Sequence, residues 1–264
     1  LVNSKSDWPV EASSVAGVLT LTAACPGVRG NLIRISAKVL PSGTGITVGP
    51  LTPTVLAGGT VEDDNSAALA AILATGLRFY YHVSEADDTT QLNNVIDQIN
   101  AQGVATIGIR QRLIAASVDS LATTTSKVTS LNNERTEMIW QKSSDWTPGE
   151  LAANVAAVYT FEEQGAAFRL NFNGYGNDPD TSNYWRVPAP RTSGVAPTPL
   201  QIEAALNSGI TPIKIEAGGK TSLVKRITTR FKSGAVVDYR IRESHKVTVE
   251  DRFADDLGIA TALV

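Results

Sequence analysis

Histidine and cysteine are nearly missing from this chain. There are two histidines, His82 and His245, and one cysteine, Cys25, in 264 residues. A single cysteine excludes an intrachain disulfide, and with it the small disulfide-stapled secreted class; a reducing compartment is expected. One cysteine and two distant histidines do not make a zinc site by spacing. A Ser-His-Asp triad is assembled in space, so composition alone does not remove it. The chain has no G-x-S-x-G elbow, however, and no motif surrounds either histidine. His82 lies in an aromatic run and is expected to be packed or at a sheet edge.

Long apolar runs are also lacking. The longest candidate, Ala67 to Leu77, is broken by Thr75 and Gly76, short of a membrane span. No basic segment followed by an apolar one opens the chain, so no signal peptide is expected. The first residues are Leu1-Val2-Asn3 and the last are Ala262-Leu263-Val264; both ends are expected to be cuts through a longer protein. Aromatics are 6% of the chain, and the net charge is -3. That charge argues for neither nucleic acid nor membrane. With 42% apolar and 19% charged residues, the composition is that of a folded domain rather than a disordered segment.

The patterning predicts an α/β fold with additional β-rich and α+β parts. Residues 1–57 read as a small β module. VLTLTA from Val18 and NLIRISAKV from Asn31 form two strands around a turn, and a looser strand runs from Ile46 to Leu56. Residues 58–164 alternate strand and helix. Helices are expected over Ser66 to Leu73, Thr89 to Gln102, Ser117 to Leu131 and Pro148 to Glu162. The strands are Phe79 to Ser84, Ala105 to Arg110 and Thr136 to Gln141. Asp63, Asp64 or Asn65 caps the first helix and Thr147 the last. In the second helix Leu92, Val95, Ile96 and Ile99 share one face. Strands separated by helices predict a three-layer, mostly parallel sheet. Residues 165–196 are rich in Asn, Gly, Asp and Pro and read as a long loop or linker. Residues 197–264 form a C-terminal α+β unit: a helix, a strand, a Gly-Gly hairpin, a strand ending in Arg226-Ile227-Thr228-Thr229, a strand over Val236 to Arg242, and a helix from Ser244.

Several sequences imitate ligand motifs. Ala217-Gly218-Gly219-Lys220-Thr221 ends like a phosphate loop, but position 214 is lysine instead of glycine, and a strand follows. Gly43-Thr44-Gly45 and Gly174-Tyr175-Gly176 lack the third glycine of a dinucleotide site. Asp87-Asp88 and Asp255-Asp256 lack calcium-ligand spacing and read as helix-end charges.

One charge feature stands out. Lys220, Lys225, Arg226, Arg230, Lys232, Arg240, Arg242 and Lys246 are opposed only by Asp238 and Glu243. Eight basic residues against two acidic give a local excess of +6 in a chain of net charge -3. Two readings stand: solvated strand faces, or a face that meets an acidic partner. Nucleic acid ranks behind these, because no aromatic stacking pattern is interleaved.

The stretch from Thr198 to Thr229, continued by Arg230 to Arg240, resembles the C-terminal region of contractile phage tail sheath proteins, the Mu-like branch in particular. So do Leu19 to Ile35 with Gly27, Gly30 and Asn31 at the turn, and Asn133-Glu134-Arg135 before a strand. Asp145-Trp146-Thr147-Pro148-Gly149-Glu150 opening a helix and Arg169-Leu170-Asn171-Phe172 are similar too. The resemblance implies a structural subunit of a virion tail, made in the bacterial host cytoplasm, that stacks around a tail tube and shortens during genome delivery. It implies no enzyme activity and no cofactor, metal or small-molecule substrate. Its expected partners are neighbouring sheath subunits, the tail tube protein and the baseplate, with no direct nucleic acid and no membrane. The eight basic residues become the expected tube or intersubunit contact. The extended arms that flank these regions in the family are not within these residues. A hydrolase on an α/β scaffold and a stand-alone binding module are the competing classes.

Overall fold

A computed structural model describes residues 8–16, 18–24, 27–35, 54–61, 64–104, 106–164, 187, 189–190, 196–215, 219, 221–234, 236–237 and 243–262. Of the long loop, 165–186 and most of 187–196 lie outside the described residues, as does the Arg169 to Phe172 segment. The chain divides into two compact units, Leu1–Asp64 and Asn65–Val264.

In the first unit, β1 (Val10–Val15) and β2 (Val18–Ala23) form an antiparallel hairpin, with Val15 opposite Val18. Among the described residues the two strands expected around the turn do not pair with each other: β2 pairs with β1, and β3 (Arg34–Ile35) with β4 (Thr54–Val55). A 3-10 turn at Val28–Leu32 separates the two ribbons. Gly27 enters it at φ +93°, a conformation that favours glycine. Asn31 then clasps Gly59 in both directions. Its Nδ2 donates to the Gly59 carbonyl at 2.9 Å, and its Oδ1 accepts from the Gly59 N–H at 3.0 Å. The amide side chain thus imitates one residue of strand pairing. A Cβ at Gly59 would lie 2.0 Å from the Gly27 carbonyl oxygen, so the approach requires glycine.

The second unit is built on one five-stranded sheet. Its strands are β5 (Tyr81–Val83), β6 (Arg112–Ser117), β7 (Thr136–Trp140), β8 (Thr211–Ile215) and β9 (Thr221–Leu223), adjacent in chain order. The first four are parallel, and β9 returns antiparallel to β8. Helices cover both faces, as the alternation of strands and helices requires. Every residue of β6 and of β7 is buried. Ile114, Ala116 and Ile139 point to one face, where α4 (Pro148–Gln164) packs through Leu151, Val155 and Tyr159. Leu113, Ala115, Met138 and Trp140 point to the other. There they meet α2 (Thr89–Gln102), α3 (Leu121–Leu131) and α5 (Pro199–Asn207). A helix α1 (Ser66–Ala74) precedes β5, and α6 (Ser244–Ala262) ends the described chain.

Local chemistry accounts for most helix boundaries. Asp88 caps α2, accepting from the N–H groups of Thr90 and Gln91 at 2.9 and 3.1 Å. Thr147 with Glu150, and Thr198 with Gln201, form two capping boxes, each followed by proline at the first helical position. Asn65 stands at the cap of α1 but makes no capping bond; its side chain donates instead to the Gln91 carbonyl of α2.

Three expected boundaries move. Of the strand expected over Ala105 to Arg110, the described residues 106–110 are not a strand. Ile107 and Gly108 turn back on the Val104 carbonyl, and Gly108 has φ +71°. The strand between α2 and α3 is Arg112–Ser117, and Ser117 therefore ends β6 instead of opening α3. The third shift concerns the strand expected to reach Thr229. β9 stops at Leu223, and the following residues cross the amino ends of β7 and β8. There the Thr229 N–H donates to the Thr136 carbonyl at 2.8 Å, and Thr228 and Thr229 are fully buried. Gly209, at φ +81°, permits this crossing; a Cβ there would come within 3.1 Å of the Thr229 carbonyl. Of the expected strand Val236 to Arg242, Val236–Val237 is seen as β11, paired with Lys232–Ser233 (β10). Residues 238–242 lie outside the description.

The central strands set the stability of this unit. Ile139→Ala, at a fully buried position of β7, is expected to cost about 2–5 kcal/mol. Urea unfolding followed by tryptophan fluorescence would check it; a loss below about 1 kcal/mol would contradict the packing described.

Candidate functional site

The polar residues of the second unit converge on a carboxylate inside the fold. Glu137, the second residue of β7, is fully buried. It points to the α4 face, where an apolar residue would ordinarily sit. Its Oε1 accepts from the Tyr159 hydroxyl of α4 at 2.7 Å and lies 3.4 Å from the Thr211 hydroxyl of β8. Its Oε2 accepts from Ser244 Oγ at 2.7 Å and from Arg226 Nε at 3.3 Å. Arg226, 3% exposed, lays its guanidinium 3.4 Å above the centre of the Tyr159 ring.

A second buried guanidinium stands beside it. Arg112 opens β6 with no exposed surface, and its Nη2 is 4.0 Å from Glu137 Oε2. Its hydrogen bonds run to α6, from Nη1 to Thr248 Oγ1 at 2.7 Å and from Nη2 to Ser244 Oγ. Ser244 thereby links the two groups, accepting from Arg112 and donating to Glu137. Burial, and next the Glu137 charge, push the Tyr159 phenol well above its ordinary range. The phenol therefore stays protonated and donating.

A further set of arginines lines the amino-terminal edge of the sheet. Arg135 makes a two-pronged pair with Asp251, 2.8 Å at each oxygen. Arg110 lies 3.6 Å from Asp251 and 3.0 Å from Asp255, and Arg78 is 2.5 Å from Asp255. Asp255 is therefore not a helix-end charge, as its sequence had read. Asp88 is one, and Asp87 pairs with Lys127 at 2.5 Å.

The eight basic residues expected to form a contact face do not behave as one set. Arg226 is buried on Glu137 and Tyr159, so a partner-facing role does not fit its position. Arg230 pairs with Glu134 at 2.7 Å. Lys225 is 2.6 Å and Lys246 3.9 Å from the same carboxylate, Glu243. Lys232 holds its ammonium 5.1 Å from the Phe231 ring centre. Lys220, Arg240 and Arg242 lie outside the described residues. The local excess of +6 is thus partly answered by Glu134 and Glu137, which lie about ninety residues earlier and escape a local charge count.

Histidine chemistry is sparse here too. His82 is buried in the edge strand β5; its Nε2 has no hydrogen-bond partner, and burial lowers its pKa below the ordinary 6.5. The side chain of His245 lies outside the description. Gly219 of the phosphate-loop look-alike lies between β8 and β9, which pair antiparallel, and β9 follows where that motif needs a helix. An open depression at the starts of α3 and α5 is lined by Ser120, Leu121, Ala122, Thr125, Lys142 and Gln201, one cation without a facing acid or histidine. Among the described residues no group of three or more His, Cys, Asp or Glu is placed to hold a metal ion. No described helix is long and apolar enough to cross a membrane.

The fold of the second unit is thus α/β, with a mixed sheet, two apolar core clusters and a buried polar network around Glu137. No family model matches the chain, and no curated protein matches it. Among solved structures it is similar to the sheath tail protein of Desulfitobacterium hafniense, with a TM-score of 0.52 and 15% identity. The likeness covers 95% of this chain and 51% of that one, so the chain spans about half the length of the structure it matches. At that identity the likeness is one of fold.

Two expectations test the site. Glu137→Gln leaves two buried guanidiniums without their carboxylate and is expected to cost about 3–5 kcal/mol in chemical unfolding. A double-mutant cycle with Arg226→Met should return a coupling of about 0.5–3 kcal/mol; zero coupling would contradict the pairing. His82 makes the protein acid-sensitive. Its pKa is lowered on folding, so its share of stability is complete above 6.5 and is lost as pH falls below that value, because the unfolded chain takes up the proton first. His82→Gln should flatten the stability–pH curve below 6.5; an unchanged curve would refute it.

Proposed function

We propose that this chain is the core of a phage-type tail sheath subunit, a structural protein without catalytic turnover. The observation that carries the reading is the fold likeness to a sheath tail protein over 95% of the chain. Residues behind the sequence resemblance add support, since each has a defined structural task. Gly27 and Asn31 build the turn of the first unit. Asn133 holds the amide of Arg135 at 2.7 Å, Glu134 meets Arg230, and Arg135 meets Asp251. Gly149 lets α4 approach Glu85, where a Cβ would come within 2.8 Å. The Mu-like branch, contraction, and tube and baseplate partners are the finer parts of the proposal.

A sheath needs many repeated weak contacts that release together. The exposed Lys225 and Lys246, with the other basic residues of the C-terminal segment, suit that role toward an acidic tube, and the buried Arg226 is removed from the set. Each contact contributes about 0–1 kcal/mol and weakens with salt over a screening length of about 10 Å at 0.1 M. The test is electron microscopy of the full-length protein co-produced with its tube protein. Subunits are expected to stack on the tube. Reversing charge at Lys225, Arg230 and Arg242 should abolish stacking while circular dichroism of the subunit stays unchanged. Normal stacking by that variant would overturn the charge role; no stacking by the unaltered protein would overturn the sheath reading.

A further inference from the structure

The helix α6 is docked in an unusual way. Its inward residues Ser244, Thr248, Asp251 and Asp255 recur at helical spacing, and all are polar. Among its described side chains, Val247 is the one buried apolar group, and neither apolar core cluster contains a residue of α6. Val249 and Phe253 face outward, the latter 69% exposed. The inward stripe is thus largely polar where an apolar one is usual, and the outer face carries Lys246, Glu250 and Arg252 beside Val249 and Phe253.

What holds the helix is a row of arginines from three neighbouring strand starts. Arg78 precedes β5, Arg110 and Arg112 stand at the start of β6, and Arg135 precedes β7. Arg78 meets Asp255, Arg110 meets Asp255 and Asp251, Arg112 meets Thr248 and Ser244, and Arg135 meets Asp251. Tyr80 adds a hydroxyl 3.5 Å from Asp251. The start of α6 is tied to backbone through the Ile227–Glu243 bridge and the bond from the Ser244 N–H to the Arg226 carbonyl.

We propose that α6 is a latch that opens as one body about its first turn while the five-stranded sheet stays folded. The argument is one of hydration. Removing one partner of a buried ion pair by mutation strands the other, which is why such changes are costly. Opening the helix is different: Asp251, Asp255 and the facing arginines all return to water together, and their lost attraction is offset by regained solvation. An apolar interface has no such compensation, because its exposed area is penalised in full. Among the described side chains of α6, Val247 is the one buried apolar group that opening exposes. Glu137 keeps Arg226, Tyr159 and Thr211, so the sheet retains its internal pairing. Opening frees Arg78, Arg110 and Arg135 at the sheet edge and leaves Arg112 without Thr248. This inference is independent of the sheath reading.

Amide hydrogen exchange of the folded protein tests it. The amides from Thr248 to Asp255 are expected to share one opening rate, at least about tenfold faster than Ile114 to Ala116 and Met138 to Trp140. Asp251→Asn should speed the helix amides about tenfold further and leave the strand amides unchanged. Asp255→Asn, at a partly exposed site, makes the same test in a protein that keeps Asp251, and decides the matter if the first variant does not fold. Exchange of α6 in step with the strands would overturn the latch. So would rates graded from the far end of the helix toward Ser244, which is fraying, or acceleration of helix and strands alike in Asp255→Asn.

Discussion

A carboxylate buried near the start of a central parallel strand constrains everything around it. Glu137 has no water to solvate it, so each oxygen must be met by a donor from the protein. Those donors come from α4, from β8, from the segment after β9 and from the start of α6. Four chain segments far apart in sequence are thereby brought to one point. An apolar side chain in its place could fill the volume, but it would not specify which hydroxyl or guanidinium must arrive. Whether this polarity lends specificity at the expense of stability is a measurable property of the double-mutant cycle, since buried pairs of this kind often gain little net stability.

The same economy of charge explains the amino-terminal edge of the sheet. In a parallel sheet all strand starts lie on one side, so residues just before β5, β6 and β7 become neighbours. Here those residues are arginines. Their side chains need carboxylates, and a helix that carries aspartates one turn apart, Asp251 and Asp255, supplies them. The outward apolar residues of α6 follow from that choice: once the polar side of the helix is committed to the arginines, Val249 and Phe253 have only the outer face left.

The charge excess near the carboxyl end shows why a local count misleads. Within Lys220 to Lys246 only two acids oppose eight bases, yet Arg226 and Arg230 find Glu137 and Glu134 across the sheet. Sequence distance and spatial distance diverge most in parallel sheets, where neighbouring strands are joined by whole helices. The fold likeness to a sheath tail protein is of the same kind. It holds over nearly the whole chain at 15% identity, because layer architecture depends on patterns of burial more than on named residues.

Local rules were legible. The face of α2 and the Thr147-Pro148 start of α4 rest on interactions within a few residues, so the sequence by itself determined them. The three-layer class followed from the alternation of strands and helices. Other features were decided only in three dimensions. Ile107 and Ile109 look like strand residues, but Gly108 turns the chain, and the neighbouring segment with Arg112 at its head enters the sheet. Arginine is a poor candidate for a buried strand until a carboxylate and two hydroxyls surround it. Likewise β2 pairs backward with β1, because strand partners are chosen by register and turn rather than by apolar pattern alone. Which charges are buried, which are paired and which face solvent belongs to the tertiary structure, because each depends on a partner that the local sequence does not contain.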